Sequence, residues 1–264
     1  MVYYSLPWHR TSLSNHNPRI FVFLHSAKSG GSSLWHSLAE EAAKCKDIKY
    51  HVLGTHNTSI KLYGKPDRQF DAAAHLLRDF QDGKHKGDIL MHYHGPGEGI
   101  DTIFPASIKP TYILLLRDSL RRLRSAFKWY MITEVKQSYT DDTFTLDNFF
   151  NVFLSHGYDR ILPAVLGWDS VSQVNVSKDK NRFLPVSLDD FNTKGPSFAA
   201  LCNSLGIELF DSIVYKETVT GSKDLKPEFP PENNTSFWKQ FNDFAASEEA
   251  ANNLLLPKII INVP

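Results

Sequence analysis

The chain has 264 residues, 42% of them apolar and 22% charged, which excludes a disordered polypeptide and suits one packed core. Its 29 basic and 29 acidic side chains cancel, so no overall field draws it to nucleic acid or an anionic surface, and any anion site has to be local. Two cysteines, Cys45 and Cys202, are too few for a disulfide scaffold or a thiolate zinc centre.

Residues 20–25 (IFVFLH) are a short run rich in β-formers, as a buried parallel strand is. The run ends in a glycine-serine turn, after which Leu34, Leu38 and Ala42 recur every four residues within 32–46, the spacing of a helix. Residues 69–80 (QFDAAAHLLRDF) read as a second helix. Strand-like runs follow at 87–93 (GDILMHY) and 111–116 (TYILLL), then helical patterns at 120–132 and, past the polar stretch QSYTDDTFT, at 146–154. Farther on, DSIVYKE could form a strand, and SKDLKPEFPPENNTS, with three prolines, reads as a loop.

Strands alternating with helices predict an α/β fold, a central parallel sheet flanked by helices. No stretch approaches the about 20 apolar residues that span a bilayer, and the first residues lack the basic-then-apolar order of a signal peptide. A cytoplasmic protein without a membrane span is therefore expected. Sequons at Asn57, Asn175, Asn233 and Asn234 would matter only in a secretory compartment.

The first chemical signal is HSAKSGGSS at 25–33. A strand that ends in such a turn and opens directly into a helix gathers backbone N–H groups at one point, where the helix dipole also favours negative charge. Phosphate is the natural occupant. The loop of nucleoside triphosphatases, G-x-x-x-x-G-K-[ST], has its lysine after the second glycine, whereas Lys28 precedes Gly30 and Gly31. The plainer alternative is an N-cap made by Ser32 or Ser33 on the first helical turn.

The second signal is YILLLRDSLRRLRSAFKWY, where Arg117 follows a strand at once and Ser125 stands eight residues on. Arg117 offers a planar fork of donors to a phosphate, and Ser125, about two helical turns away, adds a hydroxyl. Arg121, Arg122, Arg124 and Lys128 read as a solvated basic face. Trp35, Phe127, Trp129 and Tyr130 read as core packing.

The run K-S-G-G-S-S resembles the 5′-phosphosulfate loop of sulfotransferases, commonly K-[ST]-G-[ST]-[ST], and Arg117 with Ser125 resembles their 3′-phosphate site, in the family's order. Gly31 departs from the usual Ser or Thr, so one side-chain hydrogen bond is absent or comes from Ser33. The likeness is specific at these two anchors, general over 20–155, and fades beyond. It implies a sulfotransferase (P-loop-like) fold as one domain over 1–264: an N-terminal extension at 1–19, a PAPS-binding core at 20–155, and acceptor-side and C-terminal elements at 156–264. It also implies 3′-phosphoadenosine 5′-phosphosulfate (PAPS) as donor and adenosine 3′,5′-bisphosphate (PAP) as product. Lys28, Ser29, Gly30, Gly31, Ser32 and Ser33 would hold the 5′ side, and Arg117 and Ser125 the 3′-phosphate.

An acceptor hydroxyl must lose a proton as it attacks sulfur, which calls for a general base. In GDILMHYHGPGEG, strand alternation sets His92 and His94 on one face with Leu90, near the strand's carboxyl end, where open α/β sheets bind ligands. Members of the family carry a catalytic histidine a little over 20 residues before the 3′-phosphate arginine, and His94 stands 23 residues before Arg117. The resemblance thus implies His94 as base, His92 as an auxiliary sulfate or acceptor contact, and Lys28 as the cation on the departing bridging oxygen. Other candidates for the base are His51, His56 and Glu98.

No metal is expected, since neither a carboxylate cluster nor His-x-x-x-His spacing occurs. The spacing between HYHGPG and RDSLRRLRSAF looks closer to glycan sulfotransferases, the heparan sulfate 2-O type among them, than to those of small phenols. A carbohydrate acceptor is therefore expected, and a lipid or small alcohol fits as well. A lumenal catalytic domain of a longer membrane-anchored protein is the alternative location. The rival readings are a P-loop nucleotide kinase and a sulfotransferase-like binding protein without turnover.

Overall fold

The computed structural model describes residues 18–25, 28–45, 50–53, 78–80, 82–84, 86–93, 110–132, 149, 183–208, 229–230 and 234–255. Among these residues five strands form one parallel sheet: β1 (Ile20–Leu24), β2 (Tyr50–Leu53), β3 (Asp88–Tyr93), β4 (Thr111–Leu116) and β5 (Phe183–Ser187), in the order β2-β3-β1-β4-β5. The central β1 pairs with β3 on one side, Phe23 opposite His92 and Leu24 opposite Tyr93, and with β4 on the other, Leu24 opposite Leu114. Every residue of β1 and β3 is buried, which is why both read as unbroken apolar runs rather than as alternation.

Helices α1 (Gly31–Lys44), α2 (Ser119–Tyr130), α3 (Leu188–Thr193), α4 (Pro196–Leu205) and α5 (Thr235–Leu255) accompany the sheet. Leu34, Trp35 and Leu38 of α1, with Phe191 of α3 and Phe198 and Leu201 of α4, pack on Phe21, Phe23, Leu90, Ile113 and Val186 of the sheet. A second cluster joins Leu123, Phe127 and Tyr130 of α2 to Phe149 and to Phe237 and Phe241 of α5, with the Phe127 ring stacked on Phe229 at 4.9 Å and edge-on to Phe149 at 5.8 Å. Trp35, Phe127 and Tyr130 are buried, in line with their reading as core.

The α/β architecture is the one the sequence predicts, and β1, β3, β4, α1 and α2 lie within a residue or two of the expected bounds. Three points differ. Arg122, grouped with a solvated basic face, is buried, and its Nε donates to Glu248 Oε2 of α5 at 2.8 Å while Nη2 pairs with Oε1. A helix turn places each residue by its angle about the axis, so one arginine of a basic run faces inward while Arg121, Arg124 and Lys128 stay exposed. Thr235 and Ser236, assigned to a proline-rich loop, open α5, because the Asn234 side chain accepts from Phe237 N at 3.2 Å and caps that helix. Strands β2 and β5 and helices α3, α4 and α5 had no counterpart in the sequence reading. Of the expected helix at 69–80 only residues 78–80 are described, and they are helical. The expected helix at 146–154, apart from Phe149, and the strand in DSIVYKE lie outside the described residues.

Candidate anion-binding site

The site is built where β1, β3 and β4 end. Beyond Leu24 the chain is still tied to the sheet, for His25 N donates to the carbonyl of Tyr93 at 2.8 Å. The backbone then turns through Lys28, at φ +63, and Gly30, at φ +91, into α1. Gly30 is the N-cap in the left-handed region, where glycine avoids a Cβ clash; a Cβ there would also meet Leu188 Cδ1 at 3.0 Å. Ser29 is fully buried, and Lys28, Ser32 and Ser33 are half-buried.

Gly30, the N-cap of α1, brings no capping side chain of its own, and the first turn holds no acidic residue. The other four described helices each receive a side-chain oxygen at the N-terminus: Asp118 on Arg121 N of α2, Ser187 on Asp189 N of α3, Asp190 on Ser197 N of α4, and Asn234 on α5. Helix α2 also receives Glu249, which accepts from Ser119 N at 3.2 Å. The N-cap position of α1 falls on Gly30 rather than on Ser32 or Ser33, and its first turn brings no carboxylate to the positive end of the helix dipole.

Two cations meet at this point. Arg117, immediately after β4, donates from Nη1 to the carbonyl of Lys28 at 2.8 Å. A left-handed conformation costs a non-glycine residue about 1–2 kcal/mol, and a hydrogen bond from a charged donor, worth about 1.5–3 kcal/mol, is of a size to offset it. Burial first, and the Arg117 charge second, hold the Lys28 ammonium below the usual lysine range. Anionic groups bound beside the two would offset their repulsion, which makes this a place of local positive charge in a chain whose total charge is zero.

Beneath the loop lies a histidine pair. His25 Nδ1 and His92 Nε2 are 3.0 Å apart in a buried setting. The His92 ring stacks on Trp35 at 4.9 Å, and both imidazoles lie about 5.7 Å from Phe23. The Cδ2 edge of His25 abuts Gly31: a Cβ on Gly31 would strike His25 Cδ2 first and fall 2.6 Å from Nε2 and 2.8 Å from Cγ. That gives the physical reason for glycine at 31, where the resemblance leads one to expect Ser or Thr.

The structure thus brings Lys28, Ser29, Gly30, Gly31, Ser32, Ser33, Arg117 and, underneath, His92 to one end of the sheet. Ser125 is half-buried on α2, two turns past the helix start. His94 follows β3 directly in the sequence and, like His56 and Glu98, lies outside the described residues. His51 belongs to β2, with Nε2 3.1 Å from the Lys86 carbonyl. The reading of the sequence missed His25. Its signal was the irregular Gly31, a position where a Cβ would run into the His25 ring.

Among the described residues no group of three or more His, Cys, Asp or Glu could hold a metal ion, and no helix is long and apolar enough to cross a membrane.

No protein-family model matches the chain, and no curated protein matches it. Among solved structures, mouse sulfotransferase SULT7A1 complexed with PAP is similar at 16% identity and a TM-score of 0.39, over 76% of this chain and 62% of its own. A sulfotransferase from Alicyclobacillus acidocaldarius is similar at 15% identity and a TM-score of 0.45, over 91% of this chain and 96% of its own. The chain thus spans less than two thirds of the length of the mouse protein.

Proposed function

We propose that the chain is a sulfotransferase, moving the sulfuryl group of PAPS to an acceptor hydroxyl and releasing PAP. The observation that carries this reading is the meeting of Lys28 and Arg117 beside a helix N-terminus that opens on glycine, at the carboxyl ends of parallel strands. Lysine ahead of the glycines, rather than behind them, favours a phosphosulfate over a nucleoside triphosphate.

In this mechanism the acceptor oxygen attacks sulfur in line, a new O–S bond forms, and the bond from sulfur to the bridging 5′-phosphate oxygen breaks. The electron pair stays on that oxygen, which Lys28 neutralises. The acceptor proton goes to His94. Ser29, Gly30, Gly31, Ser32 and Ser33 hold the 5′ side through the turn and the first backbone N–H groups of α1. Arg117 and Ser125 take the 3′-phosphate. A guanidinium has five N–H donors, so bracing the loop at Lys28 and binding a phosphate are compatible roles for Arg117. The acceptor we favour is a carbohydrate hydroxyl, on the spacing between HYHGPG and RDSLRRLRSAF.

A thermal-shift assay tests the donor. PAP at about 100 times its Kd should add about 2.7 kcal/mol to stability, and ATP with magnesium should add little. Stabilisation by ATP alone would refute the reading in favour of a kinase. Transfer of labelled sulfate from PAPS to a panel of sugars, lipids and alcohols then identifies the acceptor. Activity in the wild type and its loss in Lys28→Ala and His94→Ala separate an enzyme from a binding protein without turnover.

A further inference from the structure

The mechanism leaves His25 without a role, and its partner under the loop, His92, is expected from the sequence only as an auxiliary sulfate or acceptor contact. Buried imidazoles cost desolvation unless their nitrogens are engaged, and here one ring is hydrogen-bonded to the other while its opposite edge lies against the first residue of α1. With His25 Nδ1 directed to His92, the nitrogen beside Gly31 is Nε2, 2.6 Å from where a side chain at 31 would begin. The same small volume at the helix N-terminus can hold a hydroxyl-bearing side chain on residue 31 or the imidazole of residue 25. It cannot hold both.

We infer that His25 stands in for the side chain Gly31 lacks: its Nε2–H donates to the anion held by the loop, with His92 as the positioning residue behind it. This rests on the reading of the loop as the 5′ anion site. If His92 Nε2–H donates to His25 Nδ1, the His25 proton is fixed on Nε2, and the ring is oriented as an outer partner orients the histidine of a metal site. If His25 is the imidazolium, Nδ1–H donates to His92 and Nε2–H still faces the loop. Only a neutral His25 with its proton on Nδ1 would turn a lone pair to the loop, and a bound anion disfavours that tautomer, so the anion meets a ring donor that is independent of Lys28 and Arg117. Phe23 and Trp35, stacked on the imidazoles, hold the pair in place.

Calorimetric titration of the full chain with PAP, and separately with inorganic sulfate, tests this. His25→Ala should weaken PAP binding about 10- to 100-fold, the size of a lost hydrogen bond to a charged group. Gly31→Ser in the native background should lower Tm, because its Cβ strikes the His25 ring. The double variant His25→Ala/Gly31→Ser should recover Tm and bind PAP at least about tenfold more tightly than His25→Ala, an interaction that independent sites would not show. His92→Gln, which keeps a donor near the Nε2 position, should bind nearly as the wild type does, and His92→Leu as weakly as His25→Ala. Should His25→Ala fail to fold, His25→Phe fills the space without a donor and carries the same expected loss.

Wild-type affinity in His25→Ala or His25→Phe, or a double variant no tighter than His25→Ala, overturns the role of His25. Wild-type affinity in His92→Leu overturns that of His92. A chain that binds sulfate but not PAP refutes the PAPS reading while the same variants, titrated with sulfate, still decide His25. A wild type that binds neither overturns both.

Discussion

The Arg122–Glu248 pair offers the sharpest test of how the fold carries its second anchor. Both side chains are essentially inaccessible, at 0% and 1% exposure, and the contact is two-pronged. Glu248→Ala leaves the guanidinium buried without its counter-charge, which costs about 3–5 kcal/mol. For a chain of this size, at about 2–4 °C per kcal/mol, Tm should fall by roughly 6–20 °C. Arg122→Met/Glu248→Leu removes both charges and keeps the volume, so stability should return to the wild-type value or exceed it by about 1–4 kcal/mol. Asp243→Ala is the control, because its pair with Lys239 is open to solvent on both sides, at 78% and 66% exposure, and should leave Tm where it was. Calorimetry or denaturant titration of the four proteins reads the result. A Glu248→Ala variant no less stable than Asp243→Ala, or a double variant as unstable as Glu248→Ala, would refute the reasoning.

Lys28→Met should raise Tm near pH 7 while abolishing PAP binding, since it removes a half-buried charge that lies beside Arg117. The sign follows from linkage: the Lys28 pKa is lower in the folded protein than the ordinary 10.5, so between the two values the unfolded chain binds more protons and wild-type stability gains with rising pH. Denaturation from pH 7 to 10.5 should show that gain in the wild type and not in Lys28→Met. PAP affinity should weaken over the same alkaline range, as the ammonium that meets the anion loses its proton. Gly30→Ala should cost about 1–2 kcal/mol in chemical denaturation, for the left-handed backbone alone. Cys202 is buried with its thiol pushed up to about 12, so it should resist alkylation at pH 8, by mass spectrometry, until the chain is denatured.

Strands buried on both faces were the easiest elements to see, because β1, β3 and β4 carry their own apolar signal whatever surrounds them. The edges were not. In β2, YHVL is half-buried throughout and carries two polar rings, and β5, FLPVS, has a proline that only an edge strand or a strand start tolerates. Both become strands by pairing with β3 and β4, far away in sequence. Helices α3 and α4 are six and ten residues long, too short for a periodic pattern to declare itself.

For the candidate site, the sequence alone supplied the groups: a strand, a turn with lysine before two glycines, a helix, and farther on an arginine at a strand's end. Those are local relations, fixed by residue type and spacing. What only the tertiary structure decided is which groups share a place. The order β2-β3-β1-β4-β5 sets Arg117 against Lys28, 89 residues away, and His92 against His25, 67 residues away. It also turns one arginine of a basic run into a buried partner of Glu248. Contacts between distant residues depend on strand order and helix rotation, which no local pattern encodes. The glycine at 31 was legible as a departure from a motif, and its cause, an imidazole already in the space, became visible only once the sheet had brought the ends of β1 and β3 side by side.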